Sequence, residues 1–180
     1  CATNCLSAQP EYLPCNASNG FDLLKASMAL PLIYGPVVPI DGVPYIDGGL
    51  TDSIPLQKAL EHDAARVIAV LTQPKGYRKR PALKTASLLA LYYRKYPALA
   101  PAFAQRAARY NACLDALENL EEQGRISVIR PETTLPATRL SRDRPSILGT
   151  LEAGRTMARR WLTRQNRHAA EGAPLGALAV

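Results

Sequence analysis

Residues 45–55 read YIDGGLTDSIP and place an aspartate, Asp47, directly after a short apolar run and directly before two glycines. The apolar run predicts a strand. The glycine pair predicts a tight turn, because glycines allow positive φ and let another backbone segment approach closely. A carboxylate held at a strand end by such a turn is well placed to act as a catalytic base. The same residues also build an ordinary turn, so both interpretations of Asp47 stay open at this point.

The segments around this turn indicate an α/β fold. Asp41-Gly42 lies between the apolar segments 37–40 and 43–46, which is a strong signal for a two-residue β-hairpin. Residues 55–62 then predict a short helix with Ser53 as its N-cap. The β-branched run 65–72 predicts a strand buried on both faces of a parallel sheet. Strand, helix and buried strand in this order are typical of α/β proteins.

Elements predicted elsewhere place strands early in the chain and helices late. We expect a strand pair within residues 1–13, helices at 21–30, 85–96, 101–122 and 145–164, and a further strand at 126–129. Two helices carry apolar stripes that we expect to face a core. The stripes are Phe103, Ala107, Tyr110, Leu114 and Leu117 in one helix, and Ile147, Leu151, Ala158 and Trp161 in the other. Arginines at 155, 159, 160, 164 and 167 should face outward.

The charge is distributed unevenly. Residues 1–74 hold 3 Lys/Arg and 7 Asp/Glu, a net charge of −4, whereas residues 75–180 hold 19 and 8, a net charge of +11. A basic half suggests an anionic partner, such as a lipid surface, and solvated helix faces are the plainer alternative. The basic segment 75–80 has the same two interpretations. The chain contains no helix-turn-helix or RNA-binding signature, so nucleic acid is not expected as a partner.

Several kinds of site have no support in the sequence. Cys1, Cys5, Cys15 and Cys113 match no zinc spacing, so we expect buried thiols, or a disulfide among the first three. No metal or other cofactor is predicted. The chain contains no G-x-S-x-G nucleophile motif and no Gly-rich phosphate loop. His62 should be exposed at a helix end, and Asp52 should support the turn or cap the helix at Pro55.

Residues 26–55, ASMALPLIYGPVVPIDGVPYIDGGLTDSIP, resemble the second conserved block of the patatin-like phospholipase family. That block combines A-S-x-A-x-P, a proline-rich apolar loop and a D-G-G or D-G-A turn. Two positions depart from the family pattern. Asn4 stands where an aspartate is frequent, and Ser53 stands where an asparagine is frequent. The resemblance covers residues 1–75 and extends more loosely to about 165.

The resemblance implies the C-terminal part of a patatin-like sheet sandwiched by helices, followed by a helix-rich basic second half. It implies a serine lipid acyl hydrolase with a Ser–Asp dyad, in which Asp47 is the catalytic aspartate and Gly48 and Gly49 form its turn. The family's nucleophile and oxyanion loop would lie upstream, so this chain alone should be inactive. The substrate would be a lipid or fatty ester.

We expect three regions: residues 1–75 with the DGG turn, a helical region 76–168 with one further strand, and a disordered tail 169–180. Because the chain opens with Cys1, we expect an upstream half of the same protein. A sheet edge left exposed would favour homodimerisation. We expect a cytoplasmic protein with peripheral membrane contact. The alternative function is a non-catalytic basic module that binds anionic membrane surfaces.

Overall fold

A computed structural model describes residues 1–62, 66–138 and 140–170 of the chain. The fold is a mixture of small sheets and helices, as the sequence predicts. The elements in chain order are β1 Ala2–Asn4, β2 Pro10–Glu11, α1 Gly20–Met28, β3 Val38–Ile40, β4 Val43–Asp47, a 3-10 turn Gly48–Leu50, α2 Leu56–Glu61, β5 Ile68–Val70, α3 Leu83–Tyr92, α4 Leu99–Glu122, β6 Ser127–Ile129 and α5 Arg144–Ala170.

The chain divides into two compact units. The first comprises Cys1–Lys58 and Lys79–Asp115, and the second comprises the described residues of Ala59–Arg78 and Ala116–Val180. The division at residue 75 that composition suggests stays a prediction. Of the predicted tail, residues 169 and 170 belong to α5, and 171–180 lie outside the described residues.

The first unit contains a four-stranded antiparallel sheet in the order β2-β1-β4-β3. Its hairpin β3–β4 turns at Asp41 and Gly42, whose φ values are 48° and 78°. Two positive φ angles in a two-residue loop are the type I′ geometry that matches strand twist. The predicted hairpin and the early strand pair are therefore confirmed.

Both faces of this sheet are covered by helices. Successive residues of a strand point to opposite faces. Tyr45 packs with Ala26 and Ala29 of the α1 region, whereas Ile46 packs with Leu99 and other residues of the α3–α4 region. Ile46 is fully buried. The strand that ends in Asp47 is thus fixed on both sides.

The second unit contains a parallel pair, β5–β6, in the register Ile68↔Ser127 to Val70↔Ile129. The parallel pairing agrees with the sequence prediction, but the burial does not. Ile68 is 42% exposed and Val70 is 70% exposed. Within the described residues β5 has one partner strand, so the β-branched run lacks the layers that a central strand has. The prediction of a strand buried on both faces is wrong.

The stripe prediction holds for α4 and fails in part for α5. In α4, Phe103, Ala107, Leu114 and Leu117 are buried and Tyr110 is half-buried. In α5, Ile147 and Leu151 are exposed rather than inward, while Ala158 and Trp161 are half-buried. The five arginines predicted to face outward are exposed. Helical spacing identifies a face but does not show whether a core exists to cover it.

The four cysteines are free thiols, so the disulfide alternative is not formed. Cys5 is buried, and burial raises the pKa of its thiol to about 12, whereas Cys1 and Cys15 are exposed. Among the described residues no cluster of His, Cys, Asp or Glu has the size of a metal site. Within the same residues no helix is long and apolar enough to cross a membrane.

Candidate active site

Asp47 is the last residue of β4 and the residue from which the 3-10 turn Gly48–Leu50 begins. Its Oδ1 accepts a hydrogen bond from the Gly49 amide at 2.6 Å. The side chain is half-buried. In the described part of the chain, Oδ2 has no hydrogen-bond partner among the contacts of the turn. One carboxylate oxygen is therefore anchored, and the other takes part in none of these contacts.

The backbone of Asp47 is held by two further segments. Its amide donates to the Ala29 carbonyl at the end of α1, at 3.1 Å. Its carbonyl accepts from Thr3 Oγ1 at 2.9 Å, and the same hydroxyl lies 2.8 Å from Thr51 Oγ1. Thr3 is fully buried. Sequence reasoning missed Thr3, although a threonine within a short apolar strand is the kind of residue that needs a buried partner.

The two glycines are needed for close approach rather than for positive φ. Neither Gly48 nor Gly49 is among the residues with positive φ. A Cβ on Gly48 would lie 2.5 Å from the carbonyl oxygen of Cys1, the residue that precedes β1. A Cβ on Gly49 would lie 2.7 Å from Asp47 Oδ1. The structure therefore supports close approach, and not positive φ, as the reason for the glycine pair. Without Cβ atoms at these two positions, the turn leaves room for Cys1 and for the Asp47 carboxylate.

Gly48→Ala should lower the free energy of unfolding by about 1–3 kcal/mol, because the added methyl group overlaps backbone atoms of Cys1, directly before β1. Urea denaturation followed by circular dichroism measures this change. Gly154→Ala is the matched control, since a Cβ there meets nothing within 4 Å and an alanine favours the α5 helix. Equal stability of both variants would show that Cys1 does not approach Gly48 this closely.

The Gly49 carbonyl is the second anchor of the turn. It accepts from Ser53 Oγ at 2.6 Å and from Arg106 Nε of α4 at 3.0 Å. The hydroxyl of Ser53 therefore donates within the turn. Because α2 begins at Leu56, Ser53 does not stand at its N-cap position, and the prediction that it caps α2 is wrong. The sequence analysis also missed Arg106. An arginine that donates to another segment and an arginine that faces solvent look the same in the sequence of a long helix.

Polar residues next to the turn have structural partners. The Tyr12 hydroxyl donates to the Asp52 carboxylate, which agrees with a supporting role for Asp52. Glu11 accepts from the Tyr45 hydroxyl at 2.5 Å and from Asn4 Nδ2 at 2.7 Å. Burial is the largest cause that raises the pKa of Tyr45 to about 12, and the hydrogen bond to the Glu11 carboxylate is the next largest. His62 is exposed, as predicted.

An open cavity of about 380 Å³ lies between the start of β1 and the first turns of α1. Leu13, Leu23 and Leu24 give it a largely apolar lining, which also includes Cys1 and Ala2. Ala2 is the residue that pairs with Asp47 in the sheet. Apolar space therefore adjoins the strand position opposite the carboxylate.

Two stretches of the chain match known protein families. Residues 8–60, which include α1, the hairpin and the Asp47 turn, match the family Patatin-like phospholipase. This stretch is a portion of a patatin-like domain. Residues 96–169 match a domain of unknown function, DUF6363. That the patatin-like portion is the C-terminal part of such a domain stays a prediction.

One curated relative is "Uncharacterized protein YjjU" of Escherichia coli (strain K12), which is 34% identical over 65 residues. The alignment covers 36% of this chain and 18% of that protein. The chain thus matches less than a fifth of the relative's length. No solved structure matches the chain. The patatin-like portion contains Asp47, Gly48 and Gly49, whereas Arg106 lies in the second matched region.

Proposed function

We propose that this chain is part of a serine lipid acyl hydrolase and that it supplies the aspartate of a Ser–Asp dyad, Asp47. The observation that carries the proposal is the state of the carboxylate within the patatin-like portion. The Gly49 amide holds Oδ1 at 2.6 Å, and Oδ2 takes part in none of the contacts of the turn. A base needs this combination of a fixed orientation and one free acceptor within reach of the proton that it removes.

The chemistry is acyl transfer in two steps. A serine oxygen attacks the ester carbonyl while Asp47 Oδ2 accepts the serine proton, and the proton then passes to the leaving alcohol. Water attacks the acyl-enzyme in the second step while Asp47 accepts its proton, and that proton passes to the serine oxygen as the acyl–serine bond breaks and the fatty acid is released. The Gly49 amide keeps the carboxylate in one orientation through both steps. The substrate class is a lipid or fatty ester.

We further propose that the nucleophile comes from another part of the same protein. Ser53 lies near the turn, but its hydroxyl donates to the Gly49 carbonyl and not to Asp47. The chain contains no G-x-S-x-G motif. The alignment covers 18% of the length of YjjU, which supports the existence of a longer protein. The isolated 180-residue chain is then an inactive portion.

A fluorophosphonate probe, which labels activated serines, tests this proposal. The natural gene product in a cell lysate should give a labelled band larger than 19.5 kDa, the mass of this chain. The purified 180-residue chain should stay unlabelled, and heat-denatured lysate provides the background. Labelling of the isolated chain would place the nucleophile within these residues. An unlabelled gene product would contradict the serine mechanism.

A further inference from the structure

Helix α5 of the second unit carries an exposed stripe of leucines and arginines. The α5 stripe consists of Arg144, Leu148, Leu151, Arg155, Arg159 and Leu162. These residues recur at steps of three and four, so they fall within an arc of roughly 80° on a helix of 3.6 residues per turn. All six are exposed, and each leucine is more than half exposed. The leucines of the stripe are therefore not packed into the core of the described residues.

Other faces of α5 are occupied by residues of the same unit. The Arg66 guanidinium lies 4.9 Å from the Trp161 ring centroid and donates to Gln165 at 2.6 Å. On another side, the Thr150 hydroxyl accepts from the Ala137 amide at 2.9 Å. These contacts attach α5 to its unit through residues outside the stripe. The stripe is thus the side of the helix that faces away from the described contacts.

The charge of α5 indicates what covers the stripe. Between Arg144 and Arg167 the helix contains six arginines and one acidic residue, Glu152. Glu152 lies 3.6 Å from Arg155, and both side chains are well exposed, so this pair neutralises little of the positive potential. A second copy of α5 would add six further arginines and only one further acidic residue, so it would not compensate the positive charge. An anionic surface instead compensates the arginines and gives the leucines an apolar layer.

We propose that the α5 stripe is a docking surface for an anionic lipid bilayer. The helix lies parallel to the membrane plane, with Leu148, Leu151 and Leu162 below the headgroups and the arginine guanidinium groups at the phosphates. Arginine side chains suit this geometry, because their apolar stems follow the leucines while their charged ends reach the headgroups. Six stripe residues span about 27 Å of helix, which gives a contact several headgroups long.

Vesicle cosedimentation of the 180-residue chain tests the proposal. The probes are large vesicles of 30% phosphatidylglycerol in phosphatidylcholine and vesicles of phosphatidylcholine alone, at 50 mM and 300 mM NaCl. We expect binding to the anionic vesicles that falls at high salt, and little binding to neutral ones. Arg155→Glu/Arg159→Glu should weaken the binding at least tenfold. Leu151→Gln/Leu162→Gln should weaken it at least threefold at unchanged net charge.

Matched variants separate the stripe from the overall charge. Arg164→Glu/Arg167→Glu changes the net charge by the same amount at exposed positions outside the stripe, and Leu83→Gln/Leu88→Gln removes exposed leucines from α3. Both should bind within about twofold of the unchanged chain, with far-UV circular dichroism confirming that all variants fold. These fold-changes rest on the approximate contribution of one charge or one apolar side chain near a bilayer.

Several results would overturn the proposal. Equal losses in the two arginine pairs would show that net charge alone attracts the chain. An unchanged leucine variant would show that no residue enters the bilayer. Salt-sensitive binding to duplex DNA without binding to vesicles would identify a different partner. The test does not depend on chemistry at Asp47, because it measures partition of a chain that needs no nucleophile.

Discussion

Asp47→Asn should lower kcat for a short-chain fatty ester by about 10²–10⁴ in the longer protein that contains this chain and its nucleophile. An asparagine oxygen can still accept from the Gly49 amide, so the turn keeps its geometry. The amide group cannot take a proton from serine, and the loss therefore falls on kcat rather than on KM. Steady-state hydrolysis of p-nitrophenyl butyrate measures it.

Asp52→Asn is the control for this experiment. Asp52 is five residues away on the same turn, and its carboxylate accepts from the Tyr12 hydroxyl. The change removes the same charge near the site without touching the proposed base, so kcat should stay within about threefold. If Asp52→Asn and Asp47→Asn lose the same activity, the effect is electrostatic and Asp47 is not the base. If Asp47→Asn keeps full activity, the dyad assignment is wrong.

Ile46→Ala should lower the free energy of unfolding by about 2–5 kcal/mol, the range for truncating a fully buried aliphatic side chain. Ile46 joins the sheet to the α3–α4 region through Leu99 and Phe103. Truncation leaves a cavity that these neighbours can fill only in part. Urea denaturation of the 180-residue chain, with the slope held common between variants, gives the difference.

Ile33→Ala provides the matched control, because it removes the same atoms from a side chain that is 63% exposed. We expect a change within about 0.5 kcal/mol for this variant. Similar losses at Ile33 and Ile46 would mean that the face of the sheet occupied by Ile46 is not packed in solution. A large loss at Ile46 alone supports the two-sided covering of β4.

Local signals predicted the parts of the fold that depend on neighbouring residues. Asp41-Gly42 predicted the hairpin, because the turn geometry is set by those two positions. The glycine pair at 48 and 49 also predicted a turn, although the structure shows that close approach and not positive φ requires these glycines. Thr3 and Arg106 were not predicted, since each contacts the turn across more than 40 residues of sequence. Residue type alone does not distinguish such long-range partners from surface residues.

The two errors of burial have one physical cause. β5 and α5 carry apolar patterns that are typical of packed elements, yet Val70 and Leu151 are exposed within the described part of the second unit. A hydrophobic pattern indicates that a face favours burial away from water. It does not show which element or partner covers that face. For α5 we propose that this layer is a membrane.

The anchoring of Asp47 divides its atoms between two tasks. The amide, the carbonyl and Oδ1 bind Ala29, Thr3 and Gly49, and they hold three segments of the chain together. Oδ2 takes part in none of these contacts. Exchange of this one oxygen for an amide nitrogen would therefore remove the proposed base and leave the three anchoring contacts in place.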